Sequence, residues 1–400
     1  MTPEESDGKN RKTNLAFPGI KRIVVKLGSG AVADPLEGIN ETTIRALADQ
    51  LHRLWSKSGI ASVVVTSGAV AAGRNKLGIH DRPKTVPLKQ AAAAVGQTML
   101  MRAYEQAFEK HGRHVAQLLL THEDFENRER YVNAQNTLCT LLAREIVPII
   151  NENDTVATQE IRLGDNDHLA TLVTQMLGAD MLILLTVSDG LFTKDPSRHP
   201  DARRIPVVKN LDDDSIRAAV EKSVSSVGVG GMESKLQAAS VLSSSGIPVV
   251  IASGLSPRPV LDALEGKDAG TLILPRNMEK LSTRKMWIAY ARHSHGTVLV
   301  DDGARKVLQE KGRSLLPAGV TGVQGDFVRG EVVSIADEKG RIFARGIARW
   351  SVEQVKRGMG LRTDEVRNLL GPDMTAEIVH RDDLTILPAA KSTETRKGTV

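Results

Sequence analysis

Two lysines in this chain stand beside glycines. Lys26 ends the apolar run Arg22-Ile23-Val24-Val25 and opens Lys26-Leu27-Gly28-Ser29-Gly30. Lys235 closes Gly228-Val229-Gly230-Gly231-Met232-Glu233-Ser234-Lys235 and leads into the helical stretch Leu236-Gln237-Ala238-Ala239. Strand, glycine turn and lysine together suit a phosphate: backbone N–H groups point at the anion and the ammonium adds a mobile charge. Glycines let the backbone approach phosphate oxygens, and a lysine there can bridge to a transferred group. Neither segment has the Gly-x4-Gly-Lys-Ser/Thr spacing of a P-loop, so the expected scaffold for phosphoryl transfer is a different one.

Polar clusters follow other apolar runs. In Thr66-Ser67-Gly68-Ala69-Val70-Ala71-Ala72-Gly73, Ser67 and the free N–H groups of the turn could hold a carboxylate or phosphate. Helix capping by Ser67 explains the same residues. Pro148-Ile149-Ile150 runs into Asn151-Glu152-Asn153-Asp154. Four polar groups after an apolar strand are costly unless exposed or satisfied in a site, and Asp154 could pair with an ammonium. Turn chemistry is the alternative. Gly164-Asp165-Asn166-Asp167-His168 opens a further helix. An aspartate set between two lysines would fix both and keep both charged, whereas N-capping accounts for one aspartate only. His168 reads as a packing residue.

The elements that position these residues alternate. Strand candidates are Arg22–Leu27, Ser62–Thr66, His114–Leu120, Ile146–Ile150, Met181–Thr186, Ile247–Ala252 and Thr271–Leu274. Between them lie helix-length stretches at Thr42–Ser58, Leu88–His111, Asn127–Arg144, His168–Leu177 and Met232–Ser245. Strands apolar on both faces predict an α/β sandwich, a mainly parallel sheet covered on both sides. Ligands of such sheets gather at the carboxyl ends of the strands, where Lys26, Ser67, Asn151 and Thr186 all fall. After Pro275 the pattern changes. Runs shorten, glycines recur, and Glu331–Ala336 and Arg341–Arg345 flank the hairpin signal Asp337-Glu338-Lys339-Gly340. The expected division is a flexible tail at 1–17, an α/β domain at 18–275, a linker at 276–295 holding a short basic helix, a small β-barrel domain at 296–387, and a disordered tail at 388–400.

Composition narrows the function classes. Cys139 is the only cysteine, which excludes an intrachain disulfide or a multi-cysteine zinc site and fits a reducing compartment. Met1 to Asn14 lack an apolar signal core, and the longest apolar runs are strand-length, so a cytoplasmic protein is expected. Residues 1–275 carry 31 Lys+Arg against 32 Asp+Glu, and residues 276–400 carry 22 against 16, so the basic excess lies in the last third. That excess suits either an RNA-facing module or a solvated basic face. Aromatics make up 3% of the chain, so stacking platforms for single strands are scarce.

Taken in order, these segments resemble the amino acid kinase family, and within it the glutamate 5-kinases, followed by a PUA domain. The resemblance runs from about Lys21 to Leu387. It includes Ala94-Val95-Gly96-Gln97, Leu119-Leu120-Thr121, Asn127-Arg128-Glu129-Arg130-Tyr131-Val132-Asn133-Ala134 and Gly270-Thr271-Leu272. In the last third, Ser314-Leu315-Leu316-Pro317-Ala318-Gly319-Val320 and Gly325-Asp326-Phe327-Val328-Arg329-Gly330-Glu331-Val332-Val333 carry the PUA likeness. The resemblance implies the amino acid kinase fold and transfer of phosphate from ATP to the side-chain carboxylate of L-glutamate, the first step of proline synthesis. It implies Lys26 and Lys235 around the γ-phosphoryl group, with Asp167 organising both. Ser67, Gly68, Asp154 and Asn166 would bind L-glutamate. Thr186, Val187, Val229, Gly230, Gly231, Met232, Glu233 and Ser234, with the two lysines, would bind ATP. Mg2+ accompanies ATP, with no residue of the chain assigned to it. Inhibition by proline and a homo-oligomer, dimer or tetramer, are further implications, and RNA binding by the PUA domain is open. Val187 and Val229 depart from the aspartate and threonine of many members, so contacts to adenine or ribose are expected to differ. Rival readings are another carboxylate or phosphate kinase of this fold, or an RNA-binding protein with the kinase domain as scaffold.

Overall fold

The computed structural model describes residues 16–34, 38–79, 81, 83–156, 166–213, 216, 231–276, 280–290, 294–371 and 375–387. The chain divides into two compact units, residues 1–280 and 281–400. The expected tails at 1–17 and 388–400 lie almost wholly outside the described residues.

The first unit contains the strands β1 (Arg22–Leu27), β2 (Ala33–Asp34), β3 (Gly38–Ile39), β4 (Ala61–Val65), β5 (Val115–Leu120), β6 (Val147–Glu152), β7 (Met181–Thr186), β8 (Val207–Val208), β9 (Val249–Ser253) and β10 (Thr271–Ile273). Eight of them form one sheet in the order β5-β6-β4-β1-β7-β9-β10-β8. Pairing is parallel from β5 through β9 and again between β10 and β8; the β9–β10 pairing is antiparallel, so β10 and β8 both run against the other six strands. Both faces are covered, so Ile23, Val24, Val25, Val63, Val64, Ile183 and Leu184 are all fully buried. Two-residue β8 and the β2–β3 ribbon were not expected, because a strand that short carries no periodicity. Strand β6 extends through Asn151 and Glu152, so those polar residues belong to the strand and not to the loop after it.

Helices fill the crossovers: α1 (Ser29–Val32), α2 (Glu41–Ser58), α3 (Ala69–Lys76), α4 (Val86–Glu109), α5 (Glu123–Glu126), α6 (Arg128–Ala143) and α7 (Asn166–Leu177), then Met232–Ser244 and Pro259–Leu264. Helix α2 buries Ile44, Leu47, Ala48, Leu51 and Leu54, the single stripe that its spacing dictates. Asn40 caps its start by accepting from Thr43 N, and Gly59 closes it in the left-handed conformation at φ 66°. Helices α3 and α4 meet backbone to backbone. A Cβ on Gly73 would lie 1.9 Å from Ala92 O, and one on Gly96 1.8 Å from Ala69 O. Those two glycines therefore set how closely α4 holds the start of α3.

The second unit pairs β11 (Gly296–Val300), β12 (Val320–Gly325), β13 (Val332–Asp337), β14 (Ile342–Ile347) and β15 (Leu384–Ile386) in the order β12-β11-β13-β14-β15. The Asp337–Arg341 hairpin joins β13 to β14, with Gly340 at φ 76°. Its core gathers Val298, Phe327, Ile335, Trp350 and Val379, and the Trp350 indole N–H donates to Thr375 O at 3.1 Å. The basic helix expected between the domains spans Thr283–Tyr290, and Arg345 Nη1 donates to Ala289 O at 3.1 Å.

Candidate active site

The carboxyl ends of β1 and β7 and the start of α7 converge. Lys26 is the fifth residue of β1 and buried to 4% exposure; Lys235 is in the first turn of the Met232–Ser244 helix, at 3%. Asp167, the second residue of α7, is fully buried between them. Lys26 Nζ lies 2.6 Å from Asp167 Oδ1, and Lys235 Nζ lies 2.9 Å from Oδ2. Ser234 Oγ also donates to Oδ2, at 2.9 Å. Residues 26, 167 and 235 come from three elements far apart in sequence.

Burial opposes the charge on Asp167, but the two ammonium groups and their hydrogen bonds outweigh it and hold its pKa below the usual carboxylate range. Each ammonium group carries three N–H donors, and Asp167 fixes both groups side by side. Three charges sum to one net positive in a desolvated setting, where electrostatic attraction for a phosphoryl group is strong. Asp167 turns its carboxylate to the two ammonium groups from the second position of α7.

Glycines shape the rim. Gly28 N donates to Leu185 O at 2.9 Å, and a Cβ on Gly28 would sit 3.1 Å from that oxygen and 3.6 Å from Lys26 Nζ. Helix α1 starts directly after Gly28. Gly231 is the N-cap of the Lys235 helix, and its carbonyl lies 2.9 Å from Ser234 Oγ. Met232 is half-buried and Glu233 exposed. Thr186 ends β7 half-buried, its carbonyl accepting from Gly254 N at 2.7 Å. Val187 is exposed, and a Cβ on Gly30 would come within 3.0 Å of its Cγ1. Val229, Gly230 and Asp165 lie outside the described residues.

Beside this ionic bridge a cavity of about 390 Å³ is lined by Ser29, Ser67, Gly68, Ala69, Arg74, Lys89, Asn151, Glu152, Asp154 and Asn166, among others. It unites the expected substrate residues Ser67, Gly68, Asp154 and Asn166. Gly68 is the N-cap of α3 at φ 95°, a conformation that favours glycine, and no side chain caps that helix. The capping alternative for Ser67 therefore fails. Its Oγ instead accepts from Asn166 Nδ2 at 2.8 Å. Burial pushes the Asp154 carboxyl up, against the positive charge of Lys89. Arg74 and Lys89 were not singled out in the sequence; Arg74 lies seven residues beyond Ser67, two helical turns on, the only signal that could have found it. The His168 ring lies 5.3 Å from that of His122.

Among the described residues no group of three or more His, Cys, Asp or Glu gathers to hold a metal ion, and both Asp167 oxygens face ammonium groups. No helix is long and apolar enough to cross a membrane among the described residues.

Comparison with known proteins places the chain in a family. The amino acid kinase family profile matches residues 21–253, and the PUA domain profile matches residues 296–370. The chain is 46% identical over 368 residues to a glutamate 5-kinase of Geobacter sulfurreducens, covering 92% of this chain and 98% of that one. A glutamate 5-kinase of Myxococcus xanthus is 45% identical over 372 residues, with 93% and 98% covered. Among solved structures, a carbamate kinase from Giardia lamblia bound to AMP-PNP aligns at 19% identity and TM-score 0.46, over 64% of this chain and 99% of that one. Profile and relatives together make the chain a member of the amino acid kinase family, in its glutamate 5-kinase branch, with a PUA domain behind the kinase module.

Proposed function

We propose that the chain transfers the γ-phosphoryl group of ATP to the side-chain carboxylate of L-glutamate, giving L-glutamyl 5-phosphate and ADP. The single observation that carries the reading is the buried bridge in which Asp167 engages both Lys26 and Lys235. A carboxylate nucleophile is already ionised at neutral pH, so no general base is required. An oxygen of the γ-carboxylate attacks the γ-phosphorus, the bond to the β,γ-bridging oxygen breaks, and ADP leaves with that electron pair. No proton moves. Catalysis then reduces to in-line positioning and neutralisation of the equatorial oxygens. Lys26 and Lys235 serve as the neutralising pair, and Asp167 holds them in register. Mg2+ enters with ATP as part of the substrate and screens the phosphates.

Ser67, Gly68, Asp154 and Asn166 hold L-glutamate, with Asp154 opposite its ammonium; the cations Arg74 and Lys89 suit its α-carboxylate. Thr186, Val187 and the segment Val229–Lys235 hold the nucleotide. The same reading carries a cytoplasmic setting, a homo-oligomer, and proline as an inhibitor at the head of proline synthesis.

The decisive assay supplies ATP, Mg2+, L-glutamate and hydroxylamine and measures γ-glutamyl hydroxamate, the trapped product of the acyl phosphate. Absence of hydroxamate rejects the activity. N-acetylglutamate and aspartate, run alongside, separate this reaction from those of other carboxylate kinases. Lys26→Ala is expected to lower kcat by roughly 10²–10³, the cost of one transition-state donor. Near-wild-type turnover would remove Lys26 from its role.

A further inference from the structure

Three side-chain amides run in series from helix α4 to the cavity. The two N–H groups of Asn166 Nδ2 are shared among three acceptors, Thr66 O at 2.6 Å, Ser67 Oγ at 2.8 Å and Asn151 Oδ1 at 2.9 Å. Asn151 Oδ1 also accepts from Glu152 N at 2.9 Å, and Asn151 Nδ2 donates to Gln97 Oε1 at 2.9 Å. The direction of this series is dictated by main-chain groups. A backbone carbonyl such as that of Thr66 can only accept, so the Asn166 amide must turn its NH₂ toward it. A backbone N–H such as that of Glu152 can only donate, so Asn151 must turn its oxygen that way.

One atom is left over at the cavity end. Asn166 Oδ1 is buried without a hydrogen-bond partner among the described residues, on a side chain that lines the cavity. A buried acceptor without a partner is costly, and in a binding cleft the group that satisfies it is a ligand N–H. An ammonium satisfies it, whereas a carboxylate would be repelled. At the other end stands Gln97, buried and not part of the cavity wall. Asn151 has its oxygen held by two donors, but among the described residues Gln97 alone takes its NH₂. Gly96, next in sequence, presses α4 against Ala69 O in the first turn of α3, so Gln97 rides on a rigid contact.

We propose that Gln97 is a positioning residue for substrate selection, acting through Asn151 to present Asn166 Oδ1 as the acceptor for the α-ammonium of the amino-acid substrate. The inference rests on the glutamate kinase reading. It assigns discrimination for an α-amino group to a residue that the substrate does not touch.

The test compares L-glutamate with glutarate, which has the same reacting carboxylate and lacks the ammonium. Both are scored by hydroxamate formation in wild type, Gln97→Met and Gln97→Glu, with thermal melts confirming that each variant is folded. Gln97→Met matches the length and removes the acceptor. It is expected to raise the glutamate KM roughly 10-fold, the cost of one hydrogen bond with its donor left buried. Glutarate KM, ATP KM and kcat stay near wild type, so the glutamate-to-glutarate ratio of kcat/KM falls by the same factor. Gln97→Glu keeps an acceptor opposite Asn151 and restores the ratio. A merely structural role would weaken both substrates together; that result, or an unchanged ratio in folded Gln97→Met, overturns the assignment. If wild type makes no glutamyl hydroxamate at all, the proposed activity itself fails, and this assignment with it.

Discussion

Asp167 in the kinase unit and Asp337 in the PUA unit are both buried carboxylates with two cations close by, yet they are built for different ends. Asp337 Oδ1 accepts from the main-chain N–H groups of Lys339 and Arg341, at 3.1 and 2.9 Å, and Oδ2 takes the guanidinium groups of Arg305 and Arg341. Burial works against its charge, but those backbone bonds and Arg341 prevail and lower its pKa. Lys339 and Arg341 close the turn that it starts and Arg305 braces it from outside, so its strength is spent on holding the hairpin. Asp167 instead holds two lysines from distant elements. A carboxylate satisfied by its own turn fixes a fold, whereas one satisfied by flexible ammonium groups pre-arranges positive charge for a third party. Asp154 is a third type. Burial raises its pKa, offset only by the charge of Lys89, which suits a group whose counter-charge comes with the substrate.

The largest expected effect breaks the first member of this comparison. Asp167→Asn leaves two buried ammonium groups facing a neutral amide, and hydroxamate turnover should fall by roughly 10³ or more. The same change should cost about 3–5 kcal/mol of stability at neutral pH, as for a buried ion pair that loses one partner. Because the folded pKa of Asp167 lies below the unfolded value, that contribution is complete above about pH 4 and is lost as pH falls through the folded pKa. The melting temperatures of wild type and variant should therefore converge in acid. A gap that persists there would show that the charge is not what stabilises.

Gly96→Ala tests the scaffold behind the cavity. Its Cβ would collide with Ala69 O, so a loss of about 1–3 kcal/mol is expected, along with a raised glutamate KM as the start of α3 shifts. An unchanged KM in a destabilised protein would separate the helix contact from the site.

Asp154 sharpens the comparison by pH. Its raised folded pKa has the opposite sign to that of Asp167: the ionised form is penalised in the fold, and protonation begins above the ordinary aspartate value of about 3.9. The glutamate KM should start to climb as pH drops toward that raised value. Asp154→Asn should have a high KM at every pH with no such climb; a matching climb in the variant would assign the titration elsewhere. The smallest effect is expected in the PUA unit. Asp337→Ala should lower the melting temperature and leave kcat and glutamate KM within about twofold, since sites with no shared partners do not couple. A large kinetic change would undo the contrast with Asp167.

The α/β alternation, the long helices and both glycine–lysine segments were legible in the chain, because apolar periodicity and turn residues are local properties. Lys26, Asp167, Lys235, Ser67 and Asp154 could each be named from residue type and context, and Asn166 from the family resemblance. Strand β8 and the reversed direction of β10 could not, since two or three residues carry no period and pairing sense is a non-local choice. Arg74 and Lys89 sit on helices whose exposed faces normally carry cations, so nothing in the sequence distinguishes them. Gln97 stands out as a polar residue in an alanine-rich stretch, yet its partner is 54 residues away. Residue chemistry and spacing along the backbone thus determined which groups were available and which elements would carry them. Only the tertiary structure decided that one carboxylate bridges two lysines, which way the amides face, and which oxygen is left without a donor. Those outcomes depend on distances between strands and helices that the crossovers and the sheet order bring together.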